Sequence, residues 1–103
     1  MGIGMQITYL GLPGSASMEA EAGMQLLRLQ RHGISFADCR LAIEHLTQRS
    51  GSSLYEVRLD IMIPARGLRR IGRCVRDSAE AAIRCAFDMA MRVIQILSRH
   101  GKL

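Results

Sequence analysis

The sequence predicts an α+β fold. It is a two-layer sandwich in the order β-α-β-β-β-α, with a four-stranded sheet and both helices on one face. Three observations lead there. Apolar residues alternate along residues 54–64. They recur at helical spacing along the last third of the chain. Between the two helix-like segments lie three consecutive strand-like ones, and neighbours in sequence favour antiparallel pairing. Helices with one apolar stripe must cover the same side of such a sheet, which leaves its other side open to solvent or a partner.

Each element has a local reason. MQITYLG (residues 5–11) is β-prone and is followed by Pro13 and Gly14, which predicts a first strand and its turn. Ser15 and Ser17 then precede Glu19 and Glu21, a hydroxyl cap with acids in the first helical turn. Ala20, Met24 and Leu27 lie at helical spacing and predict the apolar stripe of this helix. Arg28, Arg31 and His32 crowd its last turn, where cations suit the dipole, and Gly33 predicts the stop. Gly23 inside the helix costs about 1 kcal/mol relative to Ala.

Along CRLAIEHL (39–46), Cys39, Leu41 and Ile43 point one way while Arg40, Ala42 and Glu44 point the other. TQRSGSS (47–53) predicts a polar turn. In LYEVRLDIMIP (54–64), Tyr55, Val57, Leu59, Ile61 and Ile63 face the core, and Glu56, Arg58 and Asp60 face outward as a cross-paired surface. Pro64 lacks an N–H and ends the ladder. After a turn at 65–67, residues 68–76 predict a fourth strand, with Ile71 and Val75 set against Gly72 and Cys74. Asp77 with Glu80 gives a capping-box pattern for the last helix, which runs to about Arg99 and stops at Gly101. Ile83, Ala86, Phe87, Ala90, Ile94 and Leu97 form its core stripe. Arg84, Asp88, Arg92, Gln95 and Arg99 form the opposite one, with i,i+4 pairs expected at Arg84–Asp88 and Asp88–Arg92.

A chain of 103 residues predicts one domain, with residues 1–4 as a ragged start. Its net charge is +5, and every basic residue but Lys102 is arginine, the side chain suited to phosphate and carboxylate pairs. Such a balance biases a small domain toward polyanions, nucleic acid above all. The cysteines Cys39, Cys74 and Cys85 are odd in number and widely spaced, and read as small buried hydrophobes in a reducing cytosol. No apolar run approaches the roughly 20 residues of a membrane span. The N-terminus has no signal-peptide pattern. A cytoplasmic protein that uses no membrane is therefore expected.

Catalytic chemistry is not expected. His32, His45 and His100 are scattered, the serines lack a nucleophile-elbow context, and GLPGSAS is not followed by a phosphate-loop lysine. No cofactor, metal or small-molecule substrate is predicted. What stands out is ARGLRRIGRCVRD (65–77), with Arg66, Arg69, Arg70, Arg73 and Arg76. No aromatic residue interleaves them, so the expected contact is with the backbone and shape of structured RNA, through phosphates and released counterions.

Several pieces also carry a resemblance. ITYLG in the first strand, SASMEAE opening the first helix and RLQRH closing it are followed by DCRLAIE, LYEVRLDIMIP and AAIRCAFDMAMR. In this order they resemble the ribosome hibernation-promoting factor family, also called ribosome-associated inhibitor A, protein Y or sigma-54 modulation protein. The likeness runs from about residue 5 to 99, and is to the short members. It implies a fold related to double-stranded-RNA-binding domains. It also implies a protein that binds 16S rRNA of the small ribosomal subunit in the mRNA and tRNA channel and silences translation under stress or in stationary phase. By position, the resemblance assigns RNA contact to Arg28, Arg31, Arg40, Arg58, Arg84, Arg92 and Arg99. Met89 stands where the family usually carries a lysine, and another basic residue is usual near Gln95. The run Arg66 to Arg76 is not part of the family pattern and is expected to add positive potential to the RNA-facing surface. The alternative is a divergent α+β interaction module that pairs with a second copy through the open sheet face, where Ala42, Leu46 and Met62 are expected.

Overall fold

The computed structural model describes residues 4–32, 38–63 and 65–101. It has the predicted order: β1 (Gly4–Leu10), α1 (Ala16–Arg31), β2 (Asp38–Thr47), β3 (Ser53–Ile63), β4 (Gly67–Arg76) and α2 (Ala79–Arg99). The expected helix stop at Gly33 and strand end at Pro64 lie outside the described residues, as do residues 1–3. Gly4 is already part of β1.

The sheet order is β1-β2-β3-β4. The strands β2, β3 and β4 form an antiparallel meander, and β1 adds to β2 in parallel through the α1 crossover, Gly4 opposite Asp38 and Leu10 opposite Glu44. Alternation does what it should in β2 and β3. Cys39, Leu41, Ile43, Val57, Leu59, Ile61 and Ile63 are buried beneath the helices, and Tyr55 packs against that core at its margin.

The strand β4 departs from simple alternation. Its register shifts opposite Leu59 and Asp60: Leu59 pairs with Gly72 and Asp60 with Arg70, which leaves Ile71 as the extra residue of a bulge. Gly72 and Cys74, not Val75, therefore share the helix side with buried Ile71, while Val75 lies opposite Glu56 on the open face. Gly72 has a packing reason. A Cβ there would collide with the carbonyl oxygen of Ala86, so the backbone of α2 lies directly on β4. Since α2 starts just beyond the end of β4, it runs back antiparallel along that strand.

Both helices begin on a serine. Ser15 Oγ accepts from the Met18 N–H and Ser78 Oγ from the Ala81 N–H, each at 3.1 Å. Ser78 thus takes the cap position expected of Asp77. Its hydroxyl sits one residue nearer the helix, and the Glu80 carboxylate accepts from Ser17 of α1 at 3.0 Å. At the far end Gly101 adopts φ +64°, and its N–H closes the last turn on the Ser98 carbonyl.

The buried stripe of α2 is the predicted one, with Leu97 at its half-buried margin. That of α1 is not. Met24 and Leu27 are 58% and 56% exposed, Ala20 is also exposed, and the buried positions are Met18, Ala22, Leu26 and Leu29. Two apolar stripes compete on this helix. The one that wins keeps Glu21 and Gln25 toward α2, where Glu21 meets Arg84 and Gln25 bonds Glu21 and Arg28.

Ala at position 72 has no room beneath Ala86. Gly72→Ala is expected to cost about 2–3 kcal/mol, with the thermal midpoint falling by roughly 10 °C. Calorimetry of the variant against the parent protein checks this, and an unchanged midpoint would mean that α2 does not rest on β4.

Candidate nucleic-acid interface

The predicted basic residues divide into two sets. The first is held by carboxylates. On the open sheet face, Glu44 lies directly opposite Glu56, and Arg58 directly opposite Arg73. Like charges so placed repel. Other contacts resolve the conflict: Arg58 bonds Glu44 diagonally across the strands at 2.9 Å and Glu56 two residues back along its own strand, and Arg73 reaches Glu56 diagonally at 2.5 Å. One strand row further on, Arg70 Nε donates to Asp60 at 3.0 Å. Arg40 lies 3.5 Å from Asp38. Across the helix pair, Arg28 bonds Asp88 at 2.6 Å and Arg84 bonds Glu21 at 2.8 Å. These inter-helix pairs replace the i,i+4 pairs expected within α2. Arg92 Nε instead reaches the Asp88 main-chain carbonyl at 3.5 Å.

Glu56 is the most enclosed carboxylate of the network, its side chain only 10% exposed. Burial pushes its carboxyl up, but the Arg58 and Arg73 guanidiniums outweigh burial and hold it below its ordinary 4.5. Arg58 is raised in turn, first by its bond to Glu44.

The second set has no carboxylate partner among the described residues: Arg31, Arg66, Arg69, Arg76, Arg92, Arg99 and, in the β2–β3 turn, Arg49, all exposed. The fold sorts most of these to one place. Contacts between the helices advance together, Ser17 with Glu80, Glu21 with Arg84 and Arg28 with Asp88, so α1 and α2 are parallel and their C-termini share an end. Because α2 runs antiparallel to β4, the β3–β4 turn lies at that end too. Arg31 closes α1, Arg99 closes α2, Arg92 stands two turns earlier on α2, and Arg66 and Arg69 lie at and just beyond the turn. Two shallow grooves mark the seam of the helices. His32, Gln95, Ser98 and Arg99 line one, and Arg28, Arg92 and Gln95 the other together with Asp88, the partner of Arg28. The cations also complement the negative ends of two helix dipoles. The carboxylates that lack a guanidinium, Glu19, Asp77 and Glu80, sit near the helix N-termini at the opposite end, with Arg49 and Arg76.

The dense run at 66–76 is thereby split three ways. Arg66 and Arg69 join the helix C-termini, Arg70 and Arg73 are locked into the open face, and Arg76 turns to α2, with Nη2 3.2 Å from Cys85 Sγ. The reading of all three cysteines as buried free thiols is corrected. Cys74 and Cys85 are joined as a disulfide, and only Cys39 is a free buried thiol, pushed up to about 12 by burial and the nearby Asp38 and Asp60 charges. Arg49, exposed in the β2–β3 turn, carries no sequence signal beyond its place in a polar turn. No helix among the described residues is long and apolar enough to cross a membrane, and no group of His, Cys, Asp and Glu among them could hold a metal ion.

No protein-family model and no curated protein matches the sequence. Solved structures do match the fold. A ribosomal subunit interface protein from Coxiella burnetii superposes with a TM-score of 0.68 over 96% of this chain and 98% of its own, at 15% identity. The Protein Y N-terminal domain of Thermus thermophilus gives 0.64 over 94% of this chain and 99% of its own, at 19% identity. The chain shares their fold. The match covers nearly all of this chain and of both neighbours.

The ionic network sets a pH dependence. The folded-state pKa of Glu56 is lowered, so its contribution to stability is complete above about pH 4.5, the ordinary value, and is lost as pH falls through the folded value. Glu56→Gln is expected to destabilise the protein at pH 7 by roughly 1–3 kcal/mol, since two guanidiniums lose their shared acceptor. The deficit should shrink at pH 3, below the ordinary value, where the unfolded chain takes up the proton that the paired carboxylate resists. Urea denaturation at both pH values reads the difference, and a deficit equal at the two would mean that Glu56 is not paired in the folded state.

Proposed function

We propose that the chain is a member of the ribosome hibernation-promoting factor family that acts in the cytoplasm, binding 16S rRNA of the small ribosomal subunit and silencing translation under stress or in stationary phase. The shared fold with a ribosomal subunit interface protein and with Protein Y supports ribosome association. The observation that carries the reading is the gathering of carboxylate-free arginines where the helix C-termini meet the β3–β4 turn. Arg31, Arg92 and Arg99 lead this surface, and Arg66 and Arg69 extend it. Their guanidiniums are exposed and pair with no acid among the described residues, so meeting a phosphate breaks none of the ion pairs described. Arg28, Arg40, Arg58, Arg70, Arg73 and Arg84 would each have to give up or share a carboxylate to do the same, and they serve the surface as supports. The protein acts by occupying its site and has no reaction to perform.

Pairing with a second copy through the open sheet face is the weaker reading. Ala42, Leu46 and Met62 are half-buried there, but the centre of that face is filled by the Glu44–Arg58–Glu56–Arg73 network.

Co-sedimentation with purified small subunits tests the proposal. About five phosphate contacts predict binding at 50 mM salt that weakens by roughly two to three decades at 200 mM. Arg92→Glu with Arg99→Glu should weaken binding strongly at every salt concentration and lower the salt slope by about two. Arg49→Glu, at the opposite end, should leave binding nearly unchanged. No pelleting at low salt would end the ribosome reading, and equal effects of the two charge reversals would move the contact surface elsewhere.

A further inference from the structure

The Cys74–Cys85 bond sits where a thiol pair can open and close without moving the fold. Its two Cα atoms are 5.9 Å apart, within the range a disulfide spans unaided. That spacing is set by other contacts. Gly72 lets the backbone of α2 rest on β4 at Ala86, the next residue after Cys85, and Ile83, Ala86, Phe87 and Ala90 anchor the helix in the core. Those contacts do not involve the sulphurs, so reduction of the bond leaves them in place.

The surroundings of the two sulphurs differ. Cys74 is buried in the strand, 6% exposed. Cys85 is half-buried on the flank of α2, and Arg76 Nη2 lies 3.2 Å from its sulphur. The guanidinium is itself held, since Arg76 Nη1 donates to the Val75 carbonyl at 2.7 Å. A fixed cation beside a reachable sulphur favours the thiolate, the nucleophilic form. Cys39 offers the contrast: it is fully buried, with two acids near and no guanidinium bonded to its sulphur. A bond of this kind in a cytoplasmic protein is ordinarily transient.

We propose that Cys74 and Cys85 form a peroxide-reactive dithiol, in which Cys85 is oxidised first and Cys74 resolves it. The Cys85 thiolate attacks the nearer oxygen of a hydroperoxide, and the O–O bond breaks. Sulphur supplies two electrons, the peroxide leaves as alcohol or water after taking a proton, and Cys85 becomes a sulfenic acid. The Cys74 sulphur then displaces the hydroxyl from Cys85, the Cys74 proton leaves with it as water, and the disulfide forms. A dithiol reductant reverses the change by exchange at sulphur, itself becoming a disulfide and returning two hydrogens to the protein. Oxidation ties α2 to the edge strand β4.

The test uses the isolated full chain and does not depend on ribosome binding. Protein reduced with dithiothreitol, freed of reductant and treated with hydrogen peroxide should lose two hydrogens by mass spectrometry and yield one cross-linked pair of peptides, Cys74 with Cys85. Its thermal midpoint should rise by about 10 °C on oxidation. Cys74→Ser should stop at a sulfenic acid on Cys85 that dimedone traps. Cys85→Ser should consume peroxide at least about tenfold more slowly, and Cys39→Ser should behave as the parent. Circular dichroism confirms that each variant is folded. If a variant does not fold, alkylation of the reduced parent decides, with Cys85 expected to react first. Trapping at Cys39, equal peroxide consumption by Cys85→Ser, or a bond that peroxide does not restore in the folded parent would each overturn the proposal.

Discussion

The close approach of α2 to β4 at Gly72 governs the rest of the molecule. A helix usually stands off a sheet by the length of its side chains. Here one strand position has none, and the Ala86 carbonyl sits above it. The bulge lies beside this contact, and its extra residue Ile71 is buried in the core. Once α2 is seated, its direction along β4 is fixed, and so is the face it turns to α1. Glu21 and Arg28 then find Arg84 and Asp88, and the two helices settle in parallel. The meeting of two helix C-termini beside the β3–β4 turn follows from the short β4–α2 connection and the α1 crossover, and the close approach at Gly72 sets how tightly α2 lies on the sheet.

The open face shows how a basic chain spends its charge. Two glutamates and two arginines meet across strands as like pairs, an arrangement that would repel if each row acted alone. Diagonal and same-strand contacts turn it into an alternating lattice, with Arg58 bridging two acids and Glu56 bridging two bases. This lattice stiffens the solvent side of the sheet without apolar cover. It also withdraws Arg58 and Arg73 from other partners. Local density of arginine in the sequence is therefore a poor guide to local density of available charge.

The strands and the last helix were legible because period and burial agree in them. The alternation of β2 and β3 and the stripe of α2 each leave one apolar face, and the fold buries that face. The first helix was misread because Ala20, Met24 and Leu27 compete with Met18, Ala22, Leu26 and Leu29, and the choice goes with Glu21 meeting Arg84 of α2, a contact that no local pattern contains. In β4 the bulge broke the alternation, so Val75 was assigned to the wrong side. The cap on Ser78 instead of Asp77 is a one-residue choice between two capable side chains. Ion pairing on the β3 face was expected from Glu56, Arg58 and Asp60. Which arginines remain unpaired depends on strand register and helix direction, and so does the partnership of Cys74 with Cys85 across two elements.

Among the described residues, five of the seven arginines without a carboxylate lie at one end of a body with extents of 45, 26 and 20 Å, and the three carboxylates without a guanidinium lie at the other with Arg49 and Arg76, so net positive charge is concentrated at the first end. Such a separation amounts to an electric dipole along the molecule. In the field of a polyanion the molecule feels a torque as well as a pull, and rotates before any surfaces meet. Fewer encounters are then wasted on wrong orientations, so the arrangement shortens the search for a docking pose, an advantage that fades once salt shrinks the reach of the field.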